Sequence, residues 1–240
     1  MAAKEVEDQL ERAKEVAIAF LHLPMKKVES IHLAILVQHP FFEYPFLSDE
    51  NGIFNALEEK ERYRRYLGYF AENGIGRCGS LEALLFLVRK SYRLTFLSFL
   101  SREKILSKKE CGNLLARQWT LIENLSHDAN VKKETVLGWI LAADKAALMS
   151  VEERRVYAAL PEIVTIYRGC RTAAAVKGMS WTLSEEKARW FAARFSGEDG
   201  GLVYQAKVKK GDVIAYLSER DEEEIVVDWK KLFDVSRCDI

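Results

Sequence analysis

The chain changes texture once, at Pro161, and that switch constrains its fold more than any other feature. Before it, apolar residues recur three and four apart, as on helix faces. After it, they come in short β-branched runs. From Glu5 to Phe20, Val6, Leu10, Ala13, Ala17 and Phe20 share one helical face. The spacing predicts that the helical pattern continues from Val28 to Val37. His39-Pro40 then breaks it, because the residue before a proline is pushed out of the α region. Pro40 to Asn51 therefore reads as a loop. Tyr63, Tyr66, Leu67 and Phe70 repeat at helical spacing, and Asn73-Gly74 supplies a stop. Ser80 can cap a buried helix running from Leu81 to Leu100. Ser107 with Glu110 and Ser150 with Glu153 each fit a capping box. Val136, Leu137, Ile140, Leu141 and Leu148 form a wide apolar stripe, so three more helices are expected before Leu160.

Beyond Pro161 the strand-like runs are Ile163 to Tyr167, Leu202 to Val208, Val213 to Tyr216 and Ile225 to Val227. One clear helix, Ser184 to Phe195, interrupts them. The pattern predicts an α+β protein with an N-terminal all-helical domain, 1–106, and a second domain, 107–240, with a β-rich core over 162–240. The helices of 107–160 could belong to either unit.

At 240 residues the chain can bury a substantial core. Lysine plus arginine equal aspartate plus glutamate at 36 each, so no global field draws it onto phosphates or anionic lipid. Cys78, Cys111, Cys170 and Cys238 lie far apart, with no C-x-x-C pair and no histidine at ligand spacing. Reduced thiols and no metal are expected. Lys4, Glu5, Glu7 and Asp8 stand where a signal peptide needs an apolar core, which predicts a cytoplasmic protein. Glu82, Arg89, Lys90 and Arg93 interrupt the most apolar stretch, so no membrane span is expected there.

Gly74-Ile75-Gly76-Arg77-Cys78-Gly79 satisfies G-x-G-x-x-G, the spacing that brings backbone to a dinucleotide pyrophosphate. That fingerprint needs a strand before its glycines, and here a helix precedes them. A helix-to-helix connector is the expectation. Phe41, Phe42, Tyr44 and Phe46 in the Pro40 to Asn51 loop would make a partner surface if exposed. Satellite packing beneath a long loop is the commoner fate of such residues.

Three features of the β-rich part carry chemistry together. Tyr167-Arg168-Gly169 ends a strand with an arginine that could fork onto a diphosphate, although strand-end arginines are commonly solvated. Ser180-Trp181-Thr182 puts two hydroxyls on one side of an extended segment and the indole on the other. Thr182 with Glu185 also fits a capping box. The acidic run Asp221-Glu222-Glu223-Glu224 leads straight into Ile225-Val226-Val227. If pairing begins at Glu222, Glu222 and Glu224 project to one face.

In this order the three features resemble the R-S-E class of mono-ADP-ribosyltransferases, which includes arginine-modifying bacterial toxins. The likeness covers about Ile163 to Asp228 and looks nearest to phage and prophage proteins with YRG and SWT strands. It implies two small antiparallel sheets with flanking helices, and NAD as co-substrate without a metal. It also implies that Arg168, flanked by Tyr167 and Gly169, holds a phosphate or ribose of NAD. Ser180 would support Glu224, and Thr182 would hold the same wall of the site. Glu224 would meet the 2′-hydroxyl of the nicotinamide ribose, and Glu222 would activate the acceptor. Gly197 to Gly201 occupies the position of the family's phosphate-nicotinamide loop. Trp181 stands where a small residue is usual, and Ser218 to Asp221 is short for a target-recognition loop. The acceptor therefore stays open: a protein side chain first, with nucleic acid or a small molecule as alternatives. With water as acceptor the same residues would make an NAD glycohydrolase. An inactive relative would act as a protein-binding module.

Overall fold

The computed structural model describes residues 2–28, 35–119, 128, 130–196, 201–218 and 222–238. The chain divides into two compact units: Met1–Leu114 with Asn124–Val136, and Leu115–Glu123 with Leu137–Ile240. The sequence pattern had placed the division at Leu106/Ser107. Among the described residues no helix is long and apolar enough to cross a membrane.

The first unit begins with α1 (Ala2–Leu21), which buries Ala13, Ala17, Phe20 and Leu21 but leaves Val6 exposed. It is not all-helical. β1 (Lys26–Val28) pairs antiparallel with β2 (Leu36–Gln38), and β3 (Phe46–Asp49) pairs with β4 (Gly52–Asn55). The helical continuation expected from Val28 to Val37 is thus corrected to strand at both ends, and residues 29–34 lie outside the described residues. Short β-branched stretches satisfy a helical period and a strand period alike, so periodicity alone could not separate them. In the turn between β3 and β4, Asp49 Oδ1 accepts the Asn51 N–H at 2.8 Å, and Gly52 takes φ 92°. Arg62, on α2 (Lys60–Phe70), clamps that turn with a bidentate pair to Asp49 at 2.8 and 2.6 Å. The hydrogen bond from Arg62 holds the Asp49 carboxyl down at about 2.

The loop expected from Pro40 to Asn51 is corrected to strand from Phe46, where β3 begins, and its aromatic residues divide in two. Phe42 is buried, stacked on His39 and edge-on to Phe70, whereas Tyr44 and Phe46 are exposed. Burial lowers the His39 imidazole to about 4, so it stays neutral while Nδ1 accepts the Phe41 N–H. The helix α2 passes into a π-turn, Ala71–Ile75, and Ser80 then caps α3 (Leu81–Leu87) by accepting the Ala83 N–H at 3.1 Å. The G-x-G-x-x-G run therefore joins helix to helix. The apolar stretch Leu81 to Leu100 is two helices, not one. The chain breaks at Val88, and α4 (Arg93–Arg102) opens with a buried arginine donating to the Val88 and Phe86 carbonyls that the break exposes. Ser107 and Glu110 form the expected capping box at the start of α5 (Lys108–Ala116).

The second unit contains α6 (Lys133–Ala142), which begins in the first, then α7 (Lys145–Leu148) and α8 (Val151–Ala159). The capping box of Ser150 and Glu153 opens α8. Strands follow: β5 (Ile163–Cys170), β6 (Ser180–Thr182), β7 (Leu202–Lys209), β8 (Val213–Leu217), β9 (Glu224–Val227) and β10 (Phe233–Arg237). All pairings are antiparallel, in the order β10-β7-β5-β6-β9-β8. The expected two small sheets are corrected to one sheet of two three-stranded halves. They meet at a single register pair, Tyr167 opposite Thr182. This joint is too short to leave a sequence signature, since β6 has only three residues.

Helix α9 (Glu185–Ser196) lies directly on β5. Ala188 and Ala192 are buried against Val203, with Tyr167 packed beside them. A side chain at Gly169 would meet the main chain of α9, with Ala192 N only 2.6 Å from its Cβ. The helix approaches this closely because Gly169 has no side chain and the facing residues are alanines.

Candidate functional site

Three of the sequence features come together where the halves of the sheet meet. β6 pairs with β9 so that Ser180 faces Val226, Trp181 faces Ile225 and Thr182 faces Glu224. Alternation then sets Ser180, Thr182 and Glu224 on one face and Trp181 on the other. Trp181 is buried, and its indole N–H donates to the Gly178 carbonyl at 3.0 Å.

Two main-chain carbonyls fix Arg168. Its Nε donates to the Ala175 carbonyl at 3.0 Å, and its Nη1 donates to the Ser180 carbonyl. Two of the five guanidinium donors thus hold the connection from β5 to β6 in place. A Cβ at Gly178 would collide with this guanidinium, lying 2.9 Å from Nε. Burial lowers the Arg168 pKa, against the opposing pull of Cys170 and Glu224. The positive charge is therefore desolvated and lies within electrostatic reach of Glu224.

Thr182 is a clamp. Its hydroxyl donates to the Glu222 carbonyl at 2.7 Å and accepts the Ser184 N–H at 3.1 Å. The Leu183 N–H donates to the Glu223 carbonyl at 3.1 Å. The expected capping box of Thr182 with Glu185 is replaced by Ser184, whose Oγ accepts the Lys187 N–H. The acidic run is also corrected in register: β9 begins at Glu224, not Glu222. Glu223 takes φ 47°, and this left-handed residue interrupts strand alternation between the two outer glutamates. The Thr182 clamp and the kink, rather than alternation, set Glu222 beside the start of β9. Its negative charge is felt at Glu224, whose pKa it raises.

Glu224 takes hydrogen bonds from two separate parts of the chain. The Trp119 indole N–H donates to Glu224 Oε1 at 2.9 Å, and the Ser180 side chain also hydrogen-bonds the carboxylate. Burial pushes the Glu224 pKa up. The bonds from Ser180 and Trp119 hold it down, Glu222 adds to the rise, and Arg168 opposes it. The net direction is upward, so burial and Glu222 together outweigh the bonds from Ser180 and Trp119 and the pull of Arg168.

Ser180, Arg168, Glu222 and Glu224 are brought together. Of the two residues that flank Arg168, Tyr167 packs beside the α9 alanines and Gly169 admits the helix. Of Gly197 to Gly201, residues 197–200 lie outside the described residues, as do 219–221 of the acidic loop. Sequence reasoning missed Trp119, which stands 105 positions from Glu224. A tryptophan just past a helix end carries no local mark of such a role. It also missed Glu153 as a loop anchor: besides capping α8, its Oε1 accepts the Ser218 N–H at 2.7 Å. Among the described residues, no group of histidine, cysteine, aspartate and glutamate could hold a metal ion.

Comparison with known proteins returns no relative: no family model matches the chain, and no curated protein or solved structure matches it.

Proposed function

We propose that the protein is a mono-ADP-ribosyltransferase of the R-S-E type, cleaving NAD and transferring ADP-ribose to a macromolecular acceptor, a protein side chain first. The observation that carries the proposal is Glu224: a carboxylate held by Ser180 and Trp119, within reach of the charges of Glu222 and Arg168.

Cleavage breaks the bond between the ribose C1′ and the nicotinamide nitrogen, with the electron pair leaving on nitrogen. That nitrogen is cationic in NAD and leaves in a neutral ring, so no general acid is needed. The ribose becomes oxocarbenium-like, and a fixed carboxylate stabilises its developing positive charge. Glu224 has this role and receives the ribose 2′-hydroxyl. The acceptor nucleophile then bonds to C1′, and its proton passes to Glu222. Arg168, preorganised by two carbonyls, presents a desolvated cation to a phosphate of NAD. Thr182 holds the Glu222 main chain beside the start of β9.

Nicotinamide release from NAD by wild type and Glu224→Gln tests the proposal. Loss of release in a folded Glu224→Gln supports it, and labelled NAD with a lysate separates transfer from hydrolysis by water.

A further inference from the structure

We infer that Trp119 is a positioning residue for Glu224: its indole N–H, 2.9 Å from Oε1, fixes one carboxylate oxygen and leaves the substrate hydroxyl to the remainder of the group. The inference deepens the proposed function and rests on it for its consequence in catalysis, but the contact itself does not.

Trp119 follows the end of α5. The segment that bears it, Leu115–Glu123, belongs to the unit containing the sheet, whereas the chain on both sides, Met1–Leu114 and Asn124–Val136, belongs to the other unit. The indole is itself buried, at 6% exposure, so its N–H has exchanged water for this carboxylate. A buried indole donor without an acceptor is unfavourable, and an indole can only donate. The bond therefore favours one orientation and one protonation state of Glu224.

An ionised carboxylate offers about four acceptor positions. Ser180 and Trp119 occupy two, from β6 and from the 115–123 segment. Glu224 as a residue is half-buried, and in the proposed reaction the remaining positions receive the ribose hydroxyl. Two donors from separate elements prevent rotation of the carboxylate, as a group that must meet one hydroxyl and one developing charge requires. Among the described residues, the other charges that face Glu224 are Glu222, on the segment entering β9, and Arg168, on β5.

Because the indole bond favours the ionised form, Trp119→Phe, which keeps the ring and removes the N–H, raises the Glu224 pKa. The expected result is an acid limb of the pH–rate profile moved up by about one pH unit. With it, kcat falls about tenfold and KM for NAD changes less than about twofold. A merely structural tryptophan would lower the active fraction without moving the limb, and an unmoved limb overturns the inference.

A second readout needs neither NAD nor turnover. In the full chain labelled with 15N-tryptophan, the Trp119 indole resonance, assigned by triple-resonance experiments, should titrate with Glu224. The titration should disappear in Glu224→Gln and persist, at lower pH, in Glu222→Gln. No titration in wild type, or the same titration in Glu224→Gln, overturns the inference even if Trp119→Phe fails to fold. If wild type never releases nicotinamide yet the indole titrates with Glu224, the ADP-ribosyl reading fails and the Trp119–Glu224 pairing stands.

Discussion

The Thr182 hydroxyl donates to the Glu222 carbonyl at 2.7 Å, across 40 positions of sequence, so a side chain of β6 fixes the main chain of the acidic run. The same oxygen accepts the Ser184 N–H at the start of α9. Thr182→Val keeps the shape and removes both bonds, leaving a part-buried carbonyl and an N–H without this partner. Stability should fall by about 1–3 kcal/mol in urea denaturation. Nicotinamide release should fall by about tenfold or more, because the Glu222 main chain is no longer held. Thr182→Ser should retain most of both.

Glu153 ties α8 to the far end of β8 through bonds from Ser150 N at 2.8 Å and Ser218 N at 2.7 Å. Burial alone would raise its pKa, but the bonds from Ser218 and Ser150 outweigh burial, and the carboxyl lies below its ordinary 4.5. A depressed folded pKa means stability that is fully present above the unfolded value and lost as pH falls through the folded one. Urea midpoints measured from pH 6 downward should therefore drop below about pH 4.5 more steeply in wild type than in Glu153→Gln. Equal slopes would remove Glu153 from the acid-sensitive groups.

Gly169→Ala should destabilise the protein by about 1–3 kcal/mol, since the added methyl meets the main chain of α9 rather than a flexible side chain. Gly178→Ala should act on Arg168 instead, because its methyl would enter the space of the guanidinium. Thermal denaturation and nicotinamide release separate the two. Gly169→Ala lowers the melting temperature first, whereas Gly178→Ala lowers activity by more than its loss of stability explains.

Much of the β-rich half was legible in the sequence. The runs at 163, 202, 213 and 225 are strands, and Ser80, Ser107 and Ser150 cap helices, because strand composition and capping are local signals. The edge strand β10 was not legible: Phe233-Asp234-Val235-Ser236-Arg237 is mostly exposed, and Asp234 takes φ 50°. Near Val28 and Leu36, three-residue strands offered too few positions to separate a period of two from 3.6. In the site, the pairing of Ser180 with Glu224 was an implication of the family resemblance, and the two side chains do hydrogen-bond. The clamp on Glu222, the left-handed Glu223 and the indole of Trp119 depend on chain reversals and long-range register that no local spacing records.

The most direct test of the central claim is nicotinamide release from labelled NAD by purified wild type beside Glu224→Gln, with and without a cell lysate. The account predicts release by wild type, label on an acceptor, and a loss on the order of a hundredfold or more in a Glu224→Gln that unfolds at the wild-type midpoint. Undiminished release by that folded variant, or no release and no NAD binding by wild type, would contradict it.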